Sequence, residues 1–171
     1  MVILMEIEKA KKIFIELLPY IITIIIVLLI KQFIVAPIKV NGSSMSTTLE
    51  NNDIMILNKI DYRFNDIKRF DIVVVDSEYE YLIKRVIGLP GETIEFKDNK
   101  LYVNGKYIKQ NFKYKETEDF KYKVPKGKYF VMGDNRTNSL DSRSFGPFEK
   151  KKILGKTSLT IFPFSRYGKK K

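Results

Sequence analysis

The stretch YLIKRVIGLPGETIE, residues 81–95, predicts two β-strands joined by a turn. β-branched and aromatic residues dominate Tyr81–Ile87 and Thr93–Phe96, and Leu-Pro-Gly lies between the two runs. β-branched and aromatic residues favour strands, whereas Pro and Gly favour turns. The centre of the chain is therefore expected to form adjacent β-strands.

The same pattern continues on both sides of this stretch. Further strands are predicted at Phe33–Val40, Asp53–Lys59, Ile72–Asp76, Tyr129–Gly133 and Thr157–Phe162. Leu101–Ile108 predicts a hairpin around Asn104-Gly105, a pair suited to a type I′ turn. No long amphipathic helical pattern follows residue 33. The sequence predicts a mainly β fold, an antiparallel sheet in residues 33–171, with residues 96–129 as a small hairpin-containing insertion.

The composition excludes several classes of enzyme. The 171 residues include no His and no Cys. A Ser-His-Asp triad, a cysteine protease and a sortase-like transferase each need an imidazole or a thiolate, and common zinc sites need His or Cys. A hydrolase with this composition must take its base from Lys, Asp, Glu or Tyr. We expect no metal and no cofactor.

The chain is strongly basic, with 31 Lys and Arg against 20 Asp and Glu and a net charge of +11. Such a surplus fits nucleic-acid binding, attraction to an anionic membrane or wall, or a lysine-rich proteome. The basic residues are scattered, apart from Lys169–Lys171, and no recognition motif accompanies them. We therefore expect no nucleic-acid partner.

An apolar run near the N-terminus, Ile13–Ile30, contains Glu16 as its only charge. As a helix it would be about 27 Å long, close to the hydrocarbon thickness of a bilayer. The alternative is a buried core helix, but Ile21–Ile30 is apolar on every face apart from Thr23. Residues 13–30 are predicted to be a transmembrane anchor in a lipid bilayer.

A cleaved secretory signal is the other interpretation of this run, because three lysines precede it within residues 9–12. The run is long for a signal peptide, no A-x-A-like site follows it, and Pro37 would obstruct cleavage after Ala36. Charge leans slightly towards an inside N-terminus. We expect residues 1–12 to be cytoplasmic and residues 33–171 to be extracytoplasmic.

Three segments carry groups suited to chemistry. In VNGSSMSTTLE, residues 40–50, a turn at Asn41-Gly42 presents Ser43 and Ser44 just beyond the anchor, although a serine in such a turn usually has no catalytic role. In the second segment, strand geometry places Lys84 on one face with two apolar neighbours, Leu82 and Val86. That face could be solvated, but a buried amine is one route to a neutral base.

The third segment, VMGDNRTNSLDSRSFGPF, covers residues 131–148. It concentrates short polar and charged side chains in residues 134–143, most of which would form a surface loop in an average protein. Their density also suits a buried hydrogen-bond network, with Asp141 and Arg143 as an ion pair.

The chain has one predicted anchor followed by these three segments. In this arrangement it resembles the type I signal peptidases, particularly the short single-span Gram-positive form. The resemblance covers nearly the whole chain. Its most specific parts are KRVIGLPGETIE, residues 84–95, and GDNR-NS-DSR-G, residues 133–146. The resemblance implies a membrane-bound serine endopeptidase that removes signal peptides from exported preproteins with small residues at positions −1 and −3.

The family pattern transfers to this chain residue by residue. The pattern G-x-S-M-x-P-T-L matches Gly42, Ser44 and Met45 at the turn, which makes Ser44 the implied nucleophile. The lysine of K-R-V-I-G-x-P-G matches Lys84, the implied general base. The pattern N-S-x-D-S-R supplies the implied supporting network, which consists of Ser139, Asp141 and Arg143.

The chain departs from the family pattern at three places. Thr47 stands where the family usually has Pro, so the turn after the nucleophile loses a φ constraint. Phe70 replaces a common Gly before Asp71. Gly42 has no hydroxyl with which to hold an oxyanion, so the oxyanion is expected to rely on a backbone N–H, that of Ser44.

The implied mechanism makes a specific demand on Lys84. An unperturbed lysine has a pKa of about 10.4, so roughly one amine in a few thousand is neutral at pH 7. Lowering that pKa by about three units requires about 4 kcal/mol of destabilisation of the ammonium, which burial among Leu82 and Val86 could supply.

Other functions explain less of the sequence. Self-cleaving SOS-type repressors also use a Ser-Lys pair, but they would need a helix-turn-helix region where this chain has an apolar run. Penicillin-binding proteins need S-x-x-K, which is absent from the sequence. An anchored basic ectodomain that binds anionic wall polymer or lipid would explain the charge but not the segments of Ser44, Lys84 and Asp141.

Overall fold

The computed structural model describes residues 2–170, which divide at residue 35 into two compact units. The first unit is built on helix α1, Val2–Phe33, with Pro19 inside it. The segment Glu6–Phe33 is long and apolar enough to cross a bilayer, and none of its most apolar window is buried. A core helix would be covered by other parts of the chain. The helix continues through Phe33, so the strand predicted to begin there begins two residues later.

The second unit is a β domain with two short helices. The strands are β1 (Val35–Lys39), β2 (Ile54–Asn58), β3 (Ile72–Asp76), β4 (Tyr81–Gly88), β5 (Thr93–Lys97), β6 (Lys100–Val103), β7 (Lys106–Ile108), β8 (Phe120–Lys123), β9 (Lys128–Met132), β10 (Phe148–Glu149), β11 (Ile153–Phe162) and β12 (Gly168–Lys169). The helices are α2 (Asp61–Phe64) and α3 (Ser142–Phe145). The mainly β fold predicted from the sequence is confirmed.

Eight strands form the first sheet, in the order β1-β2-β11-β3-β4-β9-β10, with β12 paired to β11. Strand β4 pairs antiparallel with β3 on one side and with β9 on the other. In this register Lys84 lies opposite Val73, and Arg85 lies between Ile72 and Met132. The strand that carries Lys84 is therefore held at the centre of the sheet.

A second sheet of four strands has the order β7-β6-β5-β8. Its predicted hairpin turn is confirmed, because Asn104 and Gly105 both have positive φ, +49° and +80°, as a type I′ turn requires. A second turn of this kind connects β5 to β6 at Asp98-Asn99, with φ of +48° and +58°. The sequence analysis missed this turn and also the strand β8.

Strand β11 begins four residues earlier than predicted. Gly155 interrupts the β-branched pattern there, and the prediction placed the strand after it. In the structure, a Cβ at Gly155 would lie 2.3 Å from the carbonyl oxygen of Asn58 on the neighbouring strand. The glycine permits close contact between two backbones, so it belongs to the strand.

The core consists of three buried apolar clusters. One joins the two sheets around Phe96 of β5 and Phe130 of β9, and another lies in the first sheet around Val73 and Val131. The third is made of Val40, Met45, Leu49, Met55 and Ile72. Its members come from the segment that carries Ser44 and from strands β2 and β3, so the Ser44 turn is fixed to the sheet by apolar burial.

Candidate active site

The turn predicted at Gly42 is present and is fixed at both ends. Gly42 has φ +85°, a conformation that L side chains rarely adopt, and its N–H donates to Asn51 Oδ1 at 3.0 Å. After the turn, the side chains of Met45 and Leu49 are buried, with exposures of 1% and 0%. Met45 therefore anchors the turn, and the half-buried Ser44 lies between Gly42 and this anchor.

Lys84 reaches this turn from the central strand β4. Its Nζ donates a hydrogen bond to Ser44 Oγ at 2.7 Å, and the residue is only 3% exposed. Leu82 and Val86, predicted to share its face of the strand, are buried as well. The solvated alternative for Lys84 is therefore wrong. The structure brings together the two residues that the sequence analysis placed first.

Burial lowers the pKa of the Lys84 amine to about 8. Removal of the ammonium from water is the largest cause, and the positive charge of Arg143 acts in the same direction. The negative charges of Asp141 and Glu80 oppose both and raise the pKa. A lysine in this position loses its proton more than two pH units below an exposed lysine.

Asp141 and Arg143 form the predicted ion pair. The Arg143 Nε and Nη2 donate to the two oxygens of Asp141 at 2.9 and 2.8 Å, and the N–H of Gly133 donates to the same carboxylate at 3.0 Å. Burial alone would raise the pKa of Asp141, but these hydrogen bonds outweigh it and hold the pKa below its usual range. Asp141 remains charged and connects the start of helix α3 to the end of strand β9.

Ser139 is half-buried and makes no hydrogen bond to Lys84. Its Oγ is buried and has no hydrogen-bond partner among residues 2–170. It lies next to Gly133, where a Cβ would be 2.3 Å from Ser139 Oγ and 2.4 Å from the Ser44 carbonyl oxygen. Only a glycine fits at residue 133, because the backbone that directly follows strand β9 approaches the Ser44 turn at this point.

The sequence analysis missed Asn135, which binds the Ser44 turn at three points. Its backbone N–H donates to the Ser44 carbonyl at 2.9 Å. Its Nδ2 donates to the Ser43 carbonyl at 3.0 Å and lies 3.1 Å from Ser46 Oγ. The side chain of Asn138 adds a bond of 3.0 Å to Ser43 Oγ. The polar density of residues 134–143 was the available signal, but it does not say which groups these side chains contact.

A second buried ion pair was also missed. Arg85 donates to both oxygens of Asp134 at 2.8 and 2.7 Å, and both side chains are almost completely buried. Thr48 Oγ1 donates to the same carboxylate at 2.6 Å, which brings in the segment that follows Ser44. An arginine next to Lys84 in an apolar strand was the signal for this pair, because a guanidinium in a buried sheet needs a carboxylate.

A cleft of about 1070 Å³ opens beside Ser44 and Lys84. Apolar residues of the sheet line it, including Leu57, Val74 and Leu154, together with Ala36–Val40 and Glu80–Ile83. Among residues 2–170 no cluster of His, Cys, Asp or Glu could hold a metal ion. The geometry offers a serine hydroxyl, an amine in contact with it and a largely apolar cleft beside both.

The two departures at Thr47 and Phe70 have unusual backbone conformations. Thr47 has φ +106° and Phe70 has φ +72°. Proline, the usual family residue at position 47, cannot adopt the first of these angles. From the sequence we expected Thr47 only to remove the φ constraint of a proline. The structure shows instead that the turn at Thr47 has a conformation that a proline there could not adopt.

Comparisons with known proteins show which family the chain belongs to. Residues 14–162 match the family described as "Signal peptidase, peptidase S26". The chain is 43% identical over 164 residues to a signal peptidase I of Bacillus amyloliquefaciens, covering 88% of this chain and 89% of the relative. It is 45% identical over 160 residues to signal peptidase I P of Bacillus subtilis subsp. natto, covering 85% and 86%.

A crystal structure of a signal peptidase I from Enterococcus faecalis is 36% identical, covers 54% of this chain and 97% of that chain, and has a TM-score of 0.49. The family match extends over most of the chain, and the Bacillus relatives are covered over most of their length. The protein therefore belongs to the signal peptidase family, peptidase S26, and is a serine endopeptidase of the type I signal peptidase class.

Proposed function

We propose that this signal peptidase cleaves preproteins through an acyl-enzyme on Ser44, with Lys84 as general base. The observation that carries the proposal is the 2.7 Å contact between Lys84 Nζ and Ser44 Oγ in a buried position. When the amine is neutral, the direction of this hydrogen bond reverses, and the hydroxyl donates to the lone pair of the amine. No other base lies within hydrogen-bond distance of Ser44 Oγ among residues 2–170.

The reaction then follows in two balanced steps. Ser44 Oγ forms a bond to the scissile carbonyl carbon as its proton passes to Lys84 Nζ. The C–N bond breaks, and the Lys84 ammonium returns the proton to the leaving amine. In the second step a water molecule gives up a proton to the neutral Lys84 amine and attacks the ester carbon. The C–O bond to Ser44 breaks, the ammonium returns that proton to Ser44 Oγ, and the signal peptide leaves with a new carboxyl group. Each step requires Lys84 to begin as a neutral amine.

Burial of Lys84 supplies much of what this mechanism needs. With a pKa of about 8, roughly one amine in ten is neutral at pH 7, against about one in a few thousand for an unperturbed lysine. Asp141 and Arg143 are proposed to support the base: the carboxylate raises the pKa of Lys84, the guanidinium lowers it, and Arg143 donates two hydrogen bonds that hold Asp141 in place. We assign Ser139 to the same network, because its Oγ is buried and has no other hydrogen-bond partner among residues 2–170.

The backbone N–H of Ser44 is the proposed oxyanion donor. Gly42 offers no hydroxyl, and the N–H of Ser44 donates no hydrogen bond to another group among residues 2–170. Because this N–H belongs to the nucleophilic residue, it lies near the carbonyl that Ser44 Oγ attacks. It can therefore donate to the carbonyl oxygen as negative charge develops there. In this proposal Gly42 serves to form the turn, and Ser44 provides both the nucleophilic hydroxyl and the N–H that binds the oxyanion.

The first prediction concerns substrate specificity, and it also tests the proposed function. The cleft lined by Ala36–Val40 and Glu80–Ile83 suits an extended substrate that docks by strand addition. The likeness to signal peptidases implies small side chains at −1 and −3. Purified protein in detergent should cleave a preprotein with Ala at both positions. Phe at −1 should slow cleavage at least about tenfold, about 1.4 kcal/mol in the barrier. The measurement is sequencing of the new N-terminus together with the rate of cleavage.

A matched control carries Phe at −2, which in an extended peptide points away from the −1 and −3 side chains. That substrate should be cut at a rate within about twofold of the parent. Equal rates with Ala and Phe at −1 would contradict the proposed specificity, and failure to cut any preprotein would contradict the proposed function.

The second prediction concerns topology. We propose that residues 13–30 span the lipid bilayer, with residues 1–12 in the cytoplasm and residues 33–171 outside, where translocated preproteins arrive. The proposal is supported by the unburied apolar segment Glu6–Phe33. Protease added to intact spheroplasts should digest the β domain. Protection of that domain until the cells are lysed would contradict the orientation.

A further inference from the structure

The segment Lys109–Asp119, between strands β7 and β8, contains no helix or strand. We call it the strap. Along its first half, alternate side chains face the protein, so that Gln110, Phe112 and Tyr114 are partly buried while the residues between them are exposed. Thr117 further along is 3% exposed. The strap is therefore an extended segment that is packed through its side chains although it belongs to neither sheet.

The strap contacts the Ser44 turn through Thr47. Thr47 Oγ1 donates to the carbonyl oxygen of Lys113 at 2.8 Å, across 66 positions of sequence. Thr47 lies three residues after Ser44 and has φ +106°, a strained conformation for a β-branched residue. Such a conformation persists only where its surroundings hold it, and the bond to the strap is one such restraint.

The strap also contacts the strand of Lys84, through the residue next to it. The Phe112 ring lies against Arg85, with the guanidinium carbon 3.8 Å from the ring centroid. Phe70, the other departure from the family pattern, packs edge-on against Phe112 at 5.2 Å, and its carbonyl accepts a hydrogen bond from Arg85 Nη1 at 3.0 Å. Phe112 thus covers the Arg85–Asp134 ion pair and shields it from water.

A third set of contacts reaches the loop after strand β9. The N–H of Lys115 donates to the carbonyl of Asp134 at 2.9 Å. Arg136, which is 2% exposed, donates to Thr117 Oγ1 at 2.8 Å and to Gln110 Oε1 at 2.9 Å. The strap therefore contacts all three segments that carry the proposed active site.

We propose that Thr47 and Phe112 are positioning residues, through which the strap holds the Ser44 turn and the Lys84 strand in the geometry that brings Ser44 Oγ and Lys84 Nζ together. The inference rests on the proposed Ser-Lys mechanism. Neither residue touches the reacting atoms. A displacement of about 1 Å in a reacting group can slow a reaction by about 10², so a support behind the turn affects the rate although it takes no part in the chemistry.

The third prediction separates positioning from a merely structural role. Thr47→Val keeps the shape of the side chain and removes the donor, so kcat should fall at least about fivefold, with KM within about twofold of wild type. Thr47→Ser keeps the hydroxyl and should retain at least about half of kcat. Phe112→Ala should lower kcat by about tenfold or more, whereas Asn111→Ala, an exposed neighbour in the strap, should leave it unchanged.

The rates are measured on a preprotein with Ala at −1 and −3, well below each variant's Tm, and are referred to the folded fraction. The pH dependence of kcat/KM for Thr47→Val should keep the wild-type apparent pKa, because Lys84 remains buried. If Thr47→Val has the wild-type kcat and differs only by a lower Tm, the proposal is overturned. This holds even if Phe112→Ala does not fold. That result would leave the Ser-Lys mechanism intact, since the wild-type enzyme and its Ser44 and Lys84 variants test the mechanism separately.

Discussion

Replacement of Lys84 by arginine is expected to inactivate the enzyme as completely as replacement by alanine. Arginine keeps the positive charge and most of the length, but a guanidinium does not lose its proton in a protein. A base that must accept the Ser44 proton from 2.7 Å cannot be replaced in this way. We expect cleavage to fall by between about 10² and 10⁴, the usual contribution of general base catalysis, measured as kcat/KM on a preprotein.

A lysine outside the site provides the control for this change. Lys106 is exposed in the second sheet, and Lys106→Arg should cleave at the wild-type rate. If Lys84→Arg retained much of the wild-type activity, the positive charge of Lys84 would be its useful property. Its role would then be electrostatic, such as holding the oxyanion, and the Ser-Lys mechanism would be wrong.

Loss of the nucleophile should have an effect at least as large. Ser44→Ala removes the atom that forms the ester, and kcat/KM should fall by at least about 10³. Folding should be little changed, because Met45 and Leu49 anchor this turn by burial and Ser44 Oγ does not. The measurement is the rate of preprotein cleavage together with thermal unfolding of the variant.

The neighbouring serine makes a matched control. Ser43 is exposed, and its Oγ accepts a hydrogen bond from Asn138 but none from Lys84. Ser43→Ala should therefore retain substantial activity. An active Ser44→Ala variant beside an inactive Ser43→Ala variant would move the nucleophile by one residue.

Most strands could be predicted from the sequence because their residues alternate or cluster in a way that only a sheet can bury. Strand β3 has the predicted bounds, and β4 differs only by Gly88 at its end. Strand β8, Phe120–Lys123, was missed because its two aromatic residues alternate with two lysines and the segment resembles a charged loop. Its aromatic residues Phe120 and Tyr122 pack against Phe130 of the first sheet, a contact between sheets that a local pattern does not reveal.

The site was predictable in part, for a similar reason. Ser44, Lys84 and Asp141 lie in segments whose composition is unusual for their location, and the resemblance to a family assigned their roles. Asn135 and the partner of Arg85 could not be assigned, because the sequence contains several carboxylates and amides nearby and pairing depends on the fold. The exposed fraction of Lys84 was also open, since the two faces of strand β4 are equally apolar in sequence.

The strap could not be predicted at all. Its sequence, KQNFKYKETED at residues 109–119, has the charge of a solvated loop. Its contacts with Thr47, Arg85 and Arg136 join positions far apart in the chain. Departures from a family pattern at Thr47 and Phe70 were visible in the sequence, but only the fold shows that both residues contact the same segment.

The most direct test of the central claim, that a neutral Lys84 activates Ser44, is the pH dependence of kcat/KM for the wild-type enzyme. Burial lowers the pKa of Lys84 to about 8, and the ammonium form is inactive as a base. The rate should therefore rise with pH through an apparent pKa near 8 and level off above it. A profile that is flat through this range, or that rises only near the value of about 10.4 of an exposed lysine, would contradict the account.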